Sequence, residues 1–367
     1  MAKTARRRED YVKYVLAGVV LLAFLFELIR DSQRDGDFIG YVNAGNAVLQ
    51  GSPIYADFLN TWPPFFSIAS VPLALVHNFS PVLIRALWLI GIAFAWFGIL
   101  RISTSLLYNQ PISFRDKKGI HPLDWKILLP FLFTFRFVID DLSNIQINSY
   151  LLLGSLYAIK LDKDNKSLTA GLLLGLLVTL KVYPVFLLLF FLWRRRWKVV
   201  AGSCITIALS VGITWAVFGQ VEALNNYQSW LNHKAMGETI MTHKNQSMWP
   251  WLQAMFSGEV RLDGIRTHLV DFPPKTAKRI AMGIIAVLGL IPAYRLRYRS
   301  NQPTSFHQFA FVLAAIPLLS PLAWKYYFVF LFPLYLVLSR LLFSLGQGRS
   351  WHKWIFFIAL GLSILST

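Results

Sequence analysis

One cysteine in 367 residues, Cys204, excludes an intrachain disulfide, and it lies inside an apolar run. Charge is scarce too: Asp, Glu, Lys and Arg together make 15% of the chain, against 56% hydrophobic residues. A soluble globular domain carries about a quarter of its residues as charges, so that class is excluded. No internal repeat is detectable, which disfavours the transporter architectures built from two similar halves. His233 and His243 stand apart in one loop without the spacing of zinc ligands. The composition left by these absences is that of a polytopic membrane protein, and 15% of its residues are aromatic.

Apolar runs fall at 14–29, 81–100, 127–139, 149–159, 168–180, 184–193, 199–218, 280–294, 306–319, 326–342 and 354–366. Several are shorter than the roughly 20 residues of a straight span. Short spans interrupted by Pro or Gly are tolerated where neighbouring helices or a polar cavity satisfy the freed backbone groups. A non-uniform bundle around a cavity is therefore expected.

Acidic residues are the rarer sign, 18 against 36 basic, for a formal net charge of +18. A nucleic-acid partner is the first thought for such an excess, but the basic residues cluster at the ends of apolar runs. They occur at Lys3, Arg6, Arg7, Arg8 and Lys13; at Arg101, Arg115, Lys117, Lys118 and Lys126; and at Lys160, Lys163 and Lys166. Further groups are Arg194, Arg195, Arg196 and Lys198; Arg295, Arg297 and Arg299; and Arg349 with Lys353. With all six groups cytoplasmic, the positive-inside rule and the anionic inner leaflet account for the excess. The expected partner is membrane lipid, with no nucleic acid, and the expected location is the plasma (inner) membrane with a cytoplasmic N-terminus. No small-residue cleavage site follows Ile29, so no cleaved signal peptide is expected.

That orientation requires residues 65–79, which begin at Pro63-Pro64 and contain Pro72, to form an interfacial or re-entrant helix rather than a crossing. About eleven crossings then remain. The outside segments are 30–80, 140–148, 219–277 and 320–325. The organisation expected is an N-terminal catalytic membrane module at 1–218, a large outer loop at 219–277, and C-terminal membrane helices at 278–367.

Polar residues gather near the outer ends of these spans. Asp31, Asp35 and Asp37 follow the first run, and an amphipathic helix through Phe38, Tyr41, Ala44 and Leu49 stops at Gly51-Ser52-Pro53 before Tyr55. Asp140, Asp141, Asn144, Gln146 and Asn148 lie at the next outer turn. Lys181 and Tyr183 sit at a break ending in Pro184, and Trp324, Lys325, Tyr326 and Tyr327 follow Ser320-Pro321. An ionisable residue at membrane depth is costly unless it has a partner, so each marks a candidate site. Lys181 reads either as a lysine snorkelling to the interface or, given Pro184, as a cavity-facing residue on a broken helix.

In order and spacing these residues resemble glycosyltransferase family 87, the polyprenol-phosphate-sugar-dependent enzymes that include alpha-mannosyltransferases, within the membrane-embedded C superfamily. The resemblance rests on Asp37-Phe38, Tyr41, Ala44, Leu49-Gln50-Gly51, Pro53-Ile54-Tyr55 and Trp62-Pro63-Pro64. It continues through Ile145-Gln146-Ile147-Asn148, where the family has Gly first, and through Gly171, Gly175, Lys181, Pro184 and Arg194-Arg195-Arg196-Trp197. Asn245-Gln246-Ser247 and Ser320-Pro321-Leu322-Ala323-Trp324 complete it. One departure stands after Trp324, where the family usually has His and this chain has Lys325-Tyr326-Tyr327.

The resemblance implies an all-α transmembrane bundle of the glycosyltransferase C type and transfer of a hexose, mannose by analogy, from a polyprenyl-phosphate sugar. The acceptor is a lipid or glycan on the outer face, and displacement is direct, with inversion. No cofactor is required beyond the donor substrate, and a divalent metal is left open. The leaving phosphate needs cations, for which Lys181 and Lys325 are suited, with Tyr326 beside them. The attacking hydroxyl needs a base, for which Asp37 is the first candidate and Asp35 the second. Asp37 also reads as a helix N-cap.

Tyr41, Tyr55, Asp140, Asp141, Gln146, Asn148, His243, Asn245 and Trp324 are the candidate substrate contacts. The Asp140-Asp141 pair suits a metal or a sugar hydroxyl, and equally an ion pair with Arg136 one turn earlier. Asn245-Gln246-Ser247 also matches an N-glycosylation acceptor, and Trp249 and Trp251 suit interfacial anchoring. Two other classes stay open: a lipid-linked sugar flippase or transporter, and a ligase transferring a whole glycan.

Overall fold

The computed structural model describes residues 2–56, 60–114, 119–235, 240–296 and 304–344. Within them the chain is helical, and extended backbone pairs only at the isolated bridges Ile112–Ile120 and Leu262–Ile265. The chain opens with α1 (Ala2–Asp31), turns through 32–37, and continues with α2 (Phe38–Gln50), α3 (Pro64–Ala69) and α4 (Val71–Phe79). Then come α5 (Pro81–Tyr108), α6 (Trp125–Ser143), α7 (Asn148–Lys163), α8 (Ser167–Leu180), α9 (Val185–Trp193) and α10 (Trp197–Phe218). The remaining helices are α11 (Gln220–Ser229), α12 (Met248–Phe256), α13 (Pro274–Arg295), α14 (Phe306–Leu319) and α15 (Phe332–Ser344).

Among the described residues, four helical segments are long and apolar enough to cross a membrane: Asp10–Asp31, Pro81–Tyr108, Trp197–Phe218 and Lys325–Ser344. Other apolar runs fold as shorter helices, such as α8 and α14 with 14 residues and α9 with 9. Fourteen residues rise only about 21 Å, less than a hydrocarbon core. The run expected at 354–366 lies outside the described residues, as do Arg115, Lys117, Lys118, Arg297, Arg299, Arg349 and Lys353.

Residues 65–79 form not one helix but two, α3 and α4, divided at Ser70, with Pro72 in the first turn of the second. Both pack on α2. Contact with α4 is close at Gly45, where a Cβ would lie 2.6 Å from the Ser70 carbonyl oxygen. The α2 face runs through Phe38, Tyr41, Val42 and Ala44, all buried, while Leu49 is exposed. Gly51 ends the helix in the left-handed region at φ 65°, a conformation that favours glycine.

The most extensive helix pair is α8 against α10, and here Gly171 and Gly175 have a packing role. A Cβ on Gly171 would sit 2.1 Å from the Val199 carbonyl oxygen, and one on Gly175 would sit 2.5 Å from that of Ser203. Ser203 Oγ donates to the Gly171 carbonyl at 3.0 Å. This is small-residue packing of the kind that joins helices in lipid. Gly171→Leu is expected to destabilise the protein by about 1–3 kcal/mol through overpacking. Gly212, on the partner helix α10 with open space around it, is the control: thermal unfolding in detergent should show a lower Tm for Gly171→Leu and little change for Gly212→Leu.

The main hydrophobic core runs from Phe38 through Leu89, Leu142, Leu152 and Leu313 to Phe332 and Val337. It joins α2 to α15, the last described helix.

Candidate active site

Three chain breaks converge on one cavity of about 710 Å³. The first is the turn after α1, where Asp31 is buried and paired with Arg30 at 2.9 Å and Arg34 at 3.6 Å. Gly36 then takes φ +52° with its Cα face 3.2 Å from the Asn144 carbonyl oxygen, as measured from an ideal Cβ. The next N–H, that of Asp37, donates to the same carbonyl at 3.2 Å. Asp37 precedes α2 but its side chain makes no cap hydrogen bond. The carboxylate faces the cavity instead.

The second break is the end of α6. Ile145 N–H donates to Leu142 O at 2.8 Å and Gln146 N–H to Asp141 O at 2.9 Å, the pairing of a left-handed helix stop. Ile145, at the position where the resembled family has glycine, adopts φ 49° and is fully buried. A left-handed β-branched residue costs about 1–2 kcal/mol, which burial of its side chain offsets at about 1.5–3 kcal/mol. The turn delivers Gln146 to the cavity.

The third break lies between α8 and α9. Lys181 is extended, at φ −155° and ψ 128°, and its side chain is 5% exposed. Its ammonium donates to Asn148 Oδ1 at 3.2 Å and Gln146 Oε1 at 3.4 Å. It faces the rings of Tyr327, Tyr183 and Tyr326 at 4.7, 5.4 and 5.9 Å. Every one of these partners is neutral, and among the described residues Lys181 makes no ion pair. Tyr183 donates its hydroxyl proton to that of Tyr327, which fixes two walls of the cage.

Asp37 Oδ2 accepts from Gln146 Nε2 at 2.7 Å and from the Tyr326 hydroxyl at 3.2 Å. The described residues provide no hydrogen bond to Oδ1. Asp140, Lys325, Trp324 and His243 line the same cavity, with Thr61, Trp62, Asn144, Lys244 and Gln246. Those last five were not singled out as substrate contacts from the sequence, because they come from loops separated by up to 185 positions. Trp62 meets Tyr41 edge to face at 4.7 Å and Phe66 in a tilted contact at 4.8 Å, a floor in which the ring has little freedom.

Other expected contacts stand behind the cavity wall. Tyr41 is fully buried and donates to Gln146 Oε1 at 2.9 Å. Tyr55 donates to the Trp62 carbonyl at 2.8 Å. Asn148 donates to Asp141 Oδ1 at 3.1 Å, and Ser149 Oγ to Asp141 Oδ2 at 2.6 Å. Asp141 is thereby turned into the core while Asp140 faces the cavity, since adjacent helical residues diverge by about 100°. Asp35 is 60% exposed and ion-paired with the buried Arg85, and it does not line the cavity.

Asn245 is buried and ties loops together: it donates to Ile240 O at 3.1 Å and Pro321 O at 3.2 Å, and accepts from Ala323 N–H at 3.0 Å. These bonds hold the Ser320–Trp324 turn over the cavity. At the rim, Asp263 accepts from the His243 N–H at 2.6 Å and from its ring Nδ1. The backbone donor first, and the ring second, hold the Asp263 carboxyl below the usual carboxylate range. Asp37 and Asp140 are the carboxylates a divalent cation would meet in the cavity. Among the described residues no group of three or more His, Cys, Asp or Glu gathers around one point.

The chain has relatives among known proteins. The chain is 30% identical over 274 residues to a polyprenol-phosphate-mannose-dependent alpha-(1-2)-phosphatidylinositol pentamannoside mannosyltransferase of Mycolicibacterium smegmatis, and 28% identical over the same length to the protein of that name from Mycobacterium tuberculosis. Each alignment covers 75% of this chain but only 59% and 57% of the relatives, so the chain spans less than two thirds of their length. No solved structure matches. The profile of glycosyltransferase family 87 matches residues 60–323, a segment that includes Gln146 and Lys181 and stops short of Asp37 and Tyr326. With more than half of its length matched, this membrane protein belongs to glycosyltransferase family 87.

Proposed function

We propose that the chain is an integral-membrane hexosyltransferase that moves mannose from polyprenyl-phosphate mannose to a lipid or glycan acceptor on the outer face of the plasma membrane, by direct displacement with inversion. The observation that carries this reading is the placement of Asp37 and Lys181 in one cavity, a carboxylate and an ammonium that do not pair with each other. A buried ammonium among neutral partners is costly and stands ready for an anion.

The acceptor hydroxyl gives its proton to Asp37 as its oxygen bonds to the anomeric carbon. The bond from that carbon to the phosphate oxygen breaks, and its electron pair leaves with the polyprenyl phosphate. Lys181, with Lys325 at the cavity wall, meets the charge that develops there. Asp140 is placed to accept from a sugar hydroxyl, and Trp62 and Trp324 offer ring faces. His243, oriented by Asp263, and Lys244 stand at the rim. The relatives' name, with a mannosylated phosphatidylinositol as acceptor, supports an acceptor that is itself lipid-linked.

Purified protein supplied with polyprenyl-phosphate mannose and a membrane lipid extract tests the reading by mass spectrometry. A product heavier by one hexose, absent when Asp37 is replaced, supports it; no hexose added in any arm counts against it.

The proposed topology has about eleven crossings, a cytoplasmic N-terminus, the 101–126 loop inside and the 219–275 loop outside. Asn109 and Arg266 are both exposed, whereas Ser257 is fully buried and unsuited to labelling. With the exposed Cys204 replaced by Ala, an impermeant thiol reagent on intact cells is expected to label Arg266→Cys and spare Asn109→Cys. The opposite pattern would overturn the orientation.

A further inference from the structure

Gln146 is the side chain on which Asp37 and Lys181 meet. It is 2% exposed, and its orientation is forced: Oε1 accepts from the Tyr41 hydroxyl at 2.9 Å and from Lys181 at 3.4 Å. Nε2 therefore points the other way and donates to Asp37 at 2.7 Å. The backbone is fixed as well, because the Trp88 indole N–H donates to the Gln146 carbonyl at 3.2 Å. An ammonium and a carboxylate thus stand at opposite ends of one neutral carboxamide. In a site of low dielectric such a pair attracts strongly, and direct contact would satisfy each charge with the other.

We infer that Gln146 is a positioning residue that acts as a neutral spacer: by hydrogen-bonding Asp37 and Lys181 at once it keeps them from pairing, so the carboxylate stays available to the acceptor hydroxyl and the ammonium to the donor phosphate. This rests on the glycosyl-transfer reading above and adds to it. A residue that only packed would not need to be an amide. A glutamate here would pair with Lys181 and repel Asp37, and a small residue would let the two close on each other. The groups acting on Asp37 are Tyr326 and Gln146 by hydrogen bond, Tyr41, Lys181 and Asp140 through space, and Lys325, Lys244 and His243 along the cavity wall.

The test is binding of polyprenyl phosphate to purified protein. Gln146→Ala is expected to bind at least about tenfold more weakly than wild type, because Asp37 now competes for Lys181. Adding Asp37→Asn to that variant is expected to return affinity to within about threefold of wild type, a coupling that a merely structural role does not produce. Gln146→Glu, close to isosteric, serves if the alanine protein is unstable: its carboxylate would pair with Lys181, and binding of polyprenyl phosphate is expected to weaken at least about tenfold. Wild-type affinity in Gln146→Ala, or a double variant as weak as the single, would overturn the inference alone if the wild type binds and transfers mannose. A wild type that binds no polyprenyl phosphate would overturn the donor reading and this inference with it.

Discussion

Asp37→Asn is expected to lower turnover at least about a hundredfold, the scale of a lost general base, while donor affinity and stability stay near wild type. The geometry explains the asymmetry. Asparagine keeps an oxygen where Oδ2 accepts from Gln146 and Tyr326, so the surrounding hydrogen bonds survive and only the ability to take a proton is lost. Asp37→Ala is a different experiment, since it strands the Gln146 Nε2 donor and adds a desolvation cost of about 1–3 kcal/mol. Rates of the two variants, with Tm beside them, separate lost chemistry from lost structure. Asp35→Asn should keep most activity, because that side chain is tied to Arg85.

Lys181→Met is expected to weaken donor binding at least about thirtyfold, the lower end of what removing one partner of a desolvated charge pair costs. Stability should hold or rise. The methionine fills the tyrosine cage and the variant no longer buries an ammonium among neutral groups. Gln146 Oε1 keeps the Tyr41 hydroxyl, and only Asn148 Oδ1 loses a donor. Lys325 is less enclosed, so Lys325→Met should have a smaller effect in the same titration of polyprenyl phosphate. Equal, unchanged affinities in both would remove the phosphate role from this end of the cavity.

The membrane class and the longest helices were legible in the apolar runs, since 81–100 and 199–218 lie within α5 and α10. The broken helices were legible from length and from Pro184. What the linear pattern left open was phase and partnership. Nothing in two consecutive aspartates says which one a helix end turns inward, and here Asp141 anchors Asn148 and Ser149 while Asp140 faces the cavity. Asn245 matched a family element, but only the folded chain reveals that its amide holds the backbone at Ile240, Pro321 and Ala323.

Lys244 and Thr61 carry no local signal, because they reach the cavity through loops. The spacer position of Gln146 was hidden for the same reason. Its bonds to Asp37 and Lys181 join residues 109 and 35 positions away. The left-handed Ile145 had a trace in the sequence, as a departure from a glycine-bearing turn. A propensity rule excludes isoleucine there, and burial of its side chain overrides the rule.

The division of labour between Asp37 and Lys181 is tested most directly by measuring binding and transfer of radiolabelled polyprenyl-phosphate mannose on the same preparations of wild type, Asp37→Asn and Lys181→Met. The account predicts that Asp37→Asn binds the donor as wild type does and transfers almost none of it, while Lys181→Met fails mainly in binding. Parallel losses of binding and transfer in both variants, or transfer at the wild-type rate by Asp37→Asn, would contradict it.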